Sequence, residues 1–278
     1  MLQEMRVRNY SECTVRNYVS SIAYLAKHYN LSPEKITREQ VKSYAYHLIQ
    51  NKHVSVSSIN QLISAWKIFQ VDILRNEWED FRLKRPKREK KIPQVLSQQE
   101  ALQLIDTPRN LKHKMILKLA YATGLRRGEL LALQLKHIDS ARNIIRVIKG
   151  KGNKSREVPA PLALIEELRQ YYKRFRPKTY LFEGYKPGNP YSATSIEKIV
   201  KDAAQRAGIK KDMYPHVLRH SFATHMLEKG VNLKRLQIIL GHSSMKTTSV
   251  YLHLANSDSV DLPNLLEPKR KQNVPGKR

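Results

Sequence analysis

The chain has 278 residues, 41% of them hydrophobic, which suffices for one large domain or two ordinary ones with real cores. Lys and Arg number 51 against 24 Asp and Glu, a formal net charge of +27 that disfavours self-association and draws polyanions, nucleic acid first among them. The single cysteine, Cys13, excludes an internal disulfide framework and a cysteine-based zinc site, no histidine stands in HExxH spacing with a carboxylate, and no apolar run reaches the ~20 residues of a membrane span.

The N-terminal MLQEMRVRNY has no apolar signal-peptide core, so the expected location is cytoplasmic, on the nucleoid. Residues 1–82 read as a helical domain. Val15, Tyr18, Val19, Ile22, Leu25 and Tyr29 form one helical stripe that ends at the Asn30–Pro33 turn. Thr37 and Gln40 have the spacing of a capping box, opening a helix with Val41, Tyr44, Ala45, Leu48 and Ile49 on its apolar face. Ser57 or Ser58 is expected to begin a third helix, with Ile59, Leu62, Ile63, Trp66, Phe69 and Ile73 inward, and NEWEDF is a candidate fourth. Arg6, Arg8, Arg16, Lys27, Lys42, Lys52 and Lys67 lie between the stripes as a candidate phosphate-contacting surface. Residues 83–93 (LKRPKREKKIP) are a basic linker, since two prolines and repelling like charges discourage a helix.

A second domain is expected over residues 94–268. Ser97 and Glu100 form a capping box ahead of Leu102 and Ile105. Leu111, Met115, Ile116, Leu119 and Ala122 make the next stripe, closed at Gly124, and GLRRGELLAL turns straight into another helix. Two short strands, Asn143–Lys149 and Ser155–Pro159, flank a Gly-Lys-Gly-Asn hairpin loop. A helix follows over Pro161–Phe175 with Leu162, Ile165, Leu168 and Tyr172 inward, then a candidate strand edge at Tyr180–Phe182 and a helix from Ser195 to Ala207 ended at Gly208. The fold class is therefore mainly α with a small antiparallel β-sheet.

From Pro215 to Leu254 the chain reads as three short helices punctuated by glycines. Pro215 suits a first helical position, Gly230 and Gly241 suit left-handed stops, and Asn232 suits a cap. His216 and Arg219 share a helix face at i,i+3; His242 follows the second stop and Tyr251 lies beyond it. Taken with ATGLRRGEL (Ala122–Leu130) and GKGNK (Gly150–Lys154) upstream, HVLRH, GH and Tyr resemble, in order, the signature of tyrosine recombinases, the integrase family that includes the Xer, Cre and lambda-type enzymes. The resemblance spans Ser97 to Leu254.

What the resemblance implies is specific. The first domain would be a SAM-like core-binding domain and the second an α+β catalytic domain, together clamping duplex DNA as a C. Tyr251 would be the nucleophile of a 3′-phosphotyrosyl intermediate, supported by Arg126, Lys151, His216, Arg219 and His242, with no cofactor, metal or ATP. Lys151 would protonate the departing oxygen and His216 would accept the tyrosine's proton. The partners implied are two double-stranded DNA sites, a homotetramer assembled on them from free monomers through a Holliday junction, and accessory or directionality factors. Arg127 occupies a variable position of the motif; Glu129 reads as a buried partner for an arginine, and His220 and His225 as helix surface or packing. Leu262, Leu265 and Leu266 are a candidate docking plug, residues 269–278 a basic tail. That atypical tail favours a mobile-element integrase over a dimer resolvase. The rivals are a type IB topoisomerase and a DNA-binding protein that has lost catalysis.

Overall fold

The computed structural model describes residues 1–77, 92–148 and 155–255. The linker's basic run, most of NEWEDF, the hairpin tip with Lys151, the leucine plug and the basic tail lie outside the described residues. The chain divides into two compact units, Met1–Lys91 and Ile92–Arg278.

The first unit holds helices α1 (Leu2–Val7), α2 (Glu12–Tyr29), α3 (Arg38–Lys52) and α4 (Val56–Ile68). Each long helix starts where a side chain can take up an orphan backbone donor. Ser11 Oγ accepts from Thr14 N at 3.1 Å, and the Thr37–Gln40 capping box forms in both directions. The third predicted helix begins earlier than expected: Ser55, extended at φ −62° and ψ 147°, caps α4 by accepting from Ser58 N. After Ile68 the backbone widens into a π turn, Phe69–Ile73. Ile22, Leu25, Val41, Tyr44, Ile59, Leu62 and Trp66 close the core, each fully buried aliphatic side chain contributing roughly 1.5–3 kcal/mol. Ile49, expected inward, is exposed at the end of α3, where the core no longer reaches it. Two of the candidate phosphate contacts are already paired with carboxylates, Arg6 with Glu12 and Arg8 with Glu4 and Asp72.

The second unit contains α5 (Gln98–Asp106), α6 (Leu111–Thr123), α7 (Arg127–Leu131), strands β1 (Ile138–Asp139), β2 (Ile144–Val147) and β3 (Arg156–Pro159), then α8 (Leu162–Phe175), α9 (Ala193–Arg206), α10 (Pro215–Glu228), α11 (Leu233–Leu240) and α12 (Met245–Ser249). A 3₁₀ turn over Val250–His253 follows. The sheet is antiparallel in the order β1-β2-β3, with Ile145 opposite both Ile138 and Val158. The two-residue β1 carried no sequence signal. Tyr180–Phe182 is not a strand but a bridge, Leu181 N donating to Leu133 O at 2.8 Å.

The phase of α8 also differs from the expectation. Leu164, Ile165, Leu168 and Tyr171 face the core, while Leu162 and Tyr172 are exposed. Tyr171 stacks on Phe175 and meets Phe182 edge-on at 5.5 Å between ring centroids, which fixes the rotation. On α5, likewise, Ala101, Leu104 and Ile105 are buried and Leu102 is exposed. At the centre of this unit lies α10, buried along Val217, Leu218, Ser221, Phe222 and Ala223 against α6 and the 3₁₀ turn. It is the element on which the polar residues converge.

Candidate active site

Two left-handed glycines set the frame. Gly124 (φ +60°) ends α6 and Gly241 (φ +62°) ends α11, and each turns its carbonyl towards an arginine. Arg219, on α10, is 3% exposed; its guanidinium donates to Gly124 O at 2.6 Å, Leu240 O at 2.7 Å and His242 Nε2 at 2.9 Å. Burial and the neighbouring Arg126 push its pKa down to about 10, so it stays charged at neutrality. Arg126 donates to Glu129 Oε1 at 2.7 Å and to Gly241 O at 2.9 Å. Both arginines of the signature are thus oriented by backbone carbonyls of the two glycine turns.

Glu129 is the buried partner read from the sequence, and it serves two guanidiniums. Besides Arg126, it takes Arg156 in a two-pronged pair with both N···O distances at 2.8 Å. Burial pushes the Glu129 carboxyl up, but hydrogen bonds from Arg156 and from the Arg126 N–H outweigh it and hold its pKa at about 2. Three guanidiniums against one carboxylate leave the cleft strongly positive, as an anion requires.

The histidines divide by what they touch. Because arginine has no acceptor, His242 Nε2 must carry the lone pair towards Arg219, so its proton sits on Nδ1, 2.9 Å from Thr248 Oγ1. Burial and Arg219 push His242 down to about 4, so the ring is neutral. His216 opens α10 and is pushed down by burial and by Arg219, Arg127 and Arg126. His220, one turn further, places Nδ1 3.0 Å from Tyr251 Oη. It was expected at the surface or in packing; the structure puts it in the cleft, touching the tyrosine. His225 does pack inside, its Nδ1 2.7 Å from Tyr121 Oη.

Tyr251 stands on the 3₁₀ turn, 4% exposed, its ring stacked on His242 at 6.4 Å between centroids. Burial pushes its hydroxyl pKa up, while Arg219 and Arg126 pull it the other way. The cleft measures about 690 Å³ and is lined by Arg126, Arg156, His216, Arg219, His220, His242 and Tyr251 together with Ser155, the first described residue after the hairpin tip. Five of the six residues singled out in the sequence therefore meet at one place, and Lys151 lies outside the described residues. Among the described residues no group of three or more His, Cys, Asp or Glu could hold a metal ion.

The comparisons with known proteins bear on this cleft. A model of the phage integrase family matches residues 94–258, and one of the phage integrase N-terminal SAM-like domain matches residues 1–80. The chain belongs to the phage integrase family of tyrosine recombinases. It is 35% identical over 269 residues to a tyrosine recombinase of Thermosipho africanus, covering 92% of this chain and 93% of that one. It is 35% identical over 261 residues to the tyrosine recombinase XerD of Staphylococcus aureus, with 88% of each covered. The fold is similar to that of the XerH site-specific recombinase in a post-cleavage complex with palindromic difH DNA, at a TM-score of 0.70 and 21% identity over 90% of this chain and 79% of that one. Tyrosine recombinases are enzymes that cleave and rejoin DNA, and so is this one. The signature did not point to Arg156 and His220, which line the cleft, or to Thr248, which is buried behind it against His242. Only the alternation of Arg156 with buried Val158 on a strand leading from the hairpin hinted at an inward arginine.

Proposed function

We propose that this tyrosine recombinase acts on duplex DNA with Tyr251 as nucleophile, forming an O-(3′-phospho-DNA)-tyrosine intermediate. The carrying observation is that Tyr251 lines one cleft with Arg126 and Arg219. In the step, the Oη–P bond forms, the P–O5′ bond breaks, the 5′ oxygen takes a proton from Lys151 and the tyrosine's proton passes to the histidine face of α10, where the family resemblance assigns His216. Arg126, Arg219 and His242 meet the negative charge that grows on the non-bridging oxygens. Two guanidiniums do there what divalent cations do in a nuclease, and the phosphotyrosyl ester conserves the energy for rejoining, so the reaction needs neither metal nor ATP.

The domain layout assigned to this activity is a core-binding domain over 1–82, a linker over 83–93, a catalytic domain over 94–268 and a basic tail over 269–278. Four copies on two DNA sites exchange strands pairwise through a four-way junction, in the cytoplasm on the nucleoid, in the service of a mobile element and with accessory factors setting direction. The experiment uses nicked duplexes tiled across the DNA flanking the gene, in EDTA, with a denaturing gel as readout. Wild type gives a covalent adduct that Tyr251→Phe abolishes; binding without any adduct would favour a DNA-binding role instead.

A further inference from the structure

Within the reading of Tyr251 as nucleophile, and resting on it, the structure speaks to where the tyrosine's proton goes. Tyr251 is 4% exposed, so bulk water is poorly placed to take the proton. His220 is already in contact: its Nδ1 lies 3.0 Å from Oη, with the two rings tilted at 43° and 5.7 Å between centroids. His216 is set differently. Its ring is 6.3 Å from that of His220, and the charges acting on it are those of Arg219, Arg127, Arg126 and Glu129. It lines the cleft with Arg126 and Arg219, where the phosphate would sit. Residues four apart on α10 share a face but not a neighbour.

We infer that His220 accepts the Tyr251 proton on Nδ1 as the Oη–P bond forms, and returns it when the strand is rejoined, leaving His216 to hydrogen-bond the phosphate. The neighbouring guanidinium sets the direction. Arg219 hydrogen-bonds the hydroxyl and, having no acceptor, can only donate to Oη, which leaves the O–H for Nδ1. For this, Nδ1 must be free of its own proton, and the surroundings ensure that. Burial, His216 and Arg219 keep His220 neutral. The groups facing it are His216 and Arg219 from its own helix, Tyr251 from the 3₁₀ turn and His242 from beyond Gly241, of which only Arg219 is charged at neutrality. When a phosphate enters, its negative charge offsets Arg219 and favours the imidazolium. No outside acid, base or co-reactant is needed to balance the step.

The test measures single-turnover adduct formation against pH on the nicked duplexes in EDTA, for wild type, Tyr251→Phe, His220→Ala and His220→Asn, with DNA binding and thermal unfolding followed in parallel. Asparagine keeps a hydrogen-bonding atom near the Nδ1 position but takes up no proton, so its result stands even if the alanine variant unfolds. Both His220 variants are expected to form adduct ~10²-fold more slowly, the usual worth of a positioned base. Their residual rate is expected to rise about tenfold per pH unit above neutrality as hydroxide substitutes, while binding holds. Wild-type rates in His220→Asn, or a slow His220→Ala with an unchanged pH profile, would reduce His220 to a positioning residue and overturn the inference while leaving Tyr251 as nucleophile. A wild type that forms no adduct on any duplex would overturn both.

Discussion

Glu129 and Arg156 meet as a buried two-pronged ion pair, each carboxylate oxygen 2.8 Å from a guanidinium nitrogen, with side chains 6% and 8% exposed. Arg156 also donates to Ile239 O at 2.7 Å, and Glu129 accepts from Arg126 as well as from Arg156, so this pair ties β3, the start of α7 and the end of α11 together. The strand that leads from the Lys151 hairpin is thereby locked to Arg126.

Glu129→Gln leaves two guanidiniums facing an amide and is expected to cost ~3–5 kcal/mol, the range for breaking a buried pair. In a unit of this size that lowers the melting temperature by roughly 10 °C. The pH dependence has a definite sign. The folded-state pKa, about 2, lies below the ordinary value of 4.5, so the stabilisation is complete above that ordinary value and is lost as pH falls towards 2. Urea unfolding between pH 6 and pH 3 should show that decline in wild type and a shallower one in Glu129→Gln. Equal slopes would mean that Glu129 does not hold its proton off as described.

Arg219→Lys tests whether shape or charge matters. The guanidinium reaches Gly124 O, Leu240 O and His242 Nε2 at once. A lysine ammonium supplies a point charge without the planar fork and leaves at least one buried carbonyl unpaired. Adduct formation is expected to fall ~10²-fold or more, although the net charge is unchanged. A lysine variant as fast as wild type would mean that charge alone suffices.

What could be read from the sequence follows from range. The capping boxes of Thr37–Gln40 and Ser97–Glu100, the Asn232 cap and the stops at Gly124 and Gly241 all depend on residues within a turn of each other, and all form. The phase of α8 is not legible in its own residues, because Tyr171 and Tyr172 are adjacent aromatics and only distant Phe182 decides which one turns inward. His220 is illegible for a similar reason: its partner is 31 residues on, and a helical histidine beside an arginine is no signal without it. Arg156 and Glu129 are 27 residues apart across a hairpin and a turn. The polar residues that do meet were legible only because five of them belong to an ordered signature.

Thr248→Val probes the far side of His242. Thr248 is fully buried and accepts from His242 Nδ1 at 2.9 Å. Valine keeps the shape and removes the acceptor, so the Nδ1–H is stranded while Arg219 still holds the lone pair on Nε2, and the ring loses one of the two hydrogen bonds that orient it. The stability cost should be ~1–3 kcal/mol for the unpaired donor. Adduct formation is expected to fall roughly tenfold, in the range seen when a histidine loses its outer partner. Thr248→Ser, which restores the hydroxyl, should recover the rate; if both variants are equally slow, packing rather than the hydrogen bond is responsible.

Gly124 separates backbone freedom from close packing. At φ +60° a side chain is strained by ~1–2 kcal/mol, and here a Cβ would also fall 2.4 Å from Phe222 Cδ1 and 3.2 Å from Leu240 Cδ2. Overpacking of that kind adds ~1–3 kcal/mol, so Gly124→Ala should destabilise by about 2–5 kcal/mol in all. Gly230, at φ +80°, is the control, since a Cβ there meets nothing within 4 Å and Gly230→Ala carries only the backbone strain. The two variants should differ in activity more than in stability. Phe222 and Leu240 sit on the helices that carry Arg219 and Gly241, and Gly124 O itself holds the Arg219 guanidinium, so pushing this turn outward misplaces the arginine. Adduct formation by Gly124→Ala at a temperature where it is still folded should therefore be far below that of Gly230→Ala. Equal rates would show that the turn supports the fold without positioning the site.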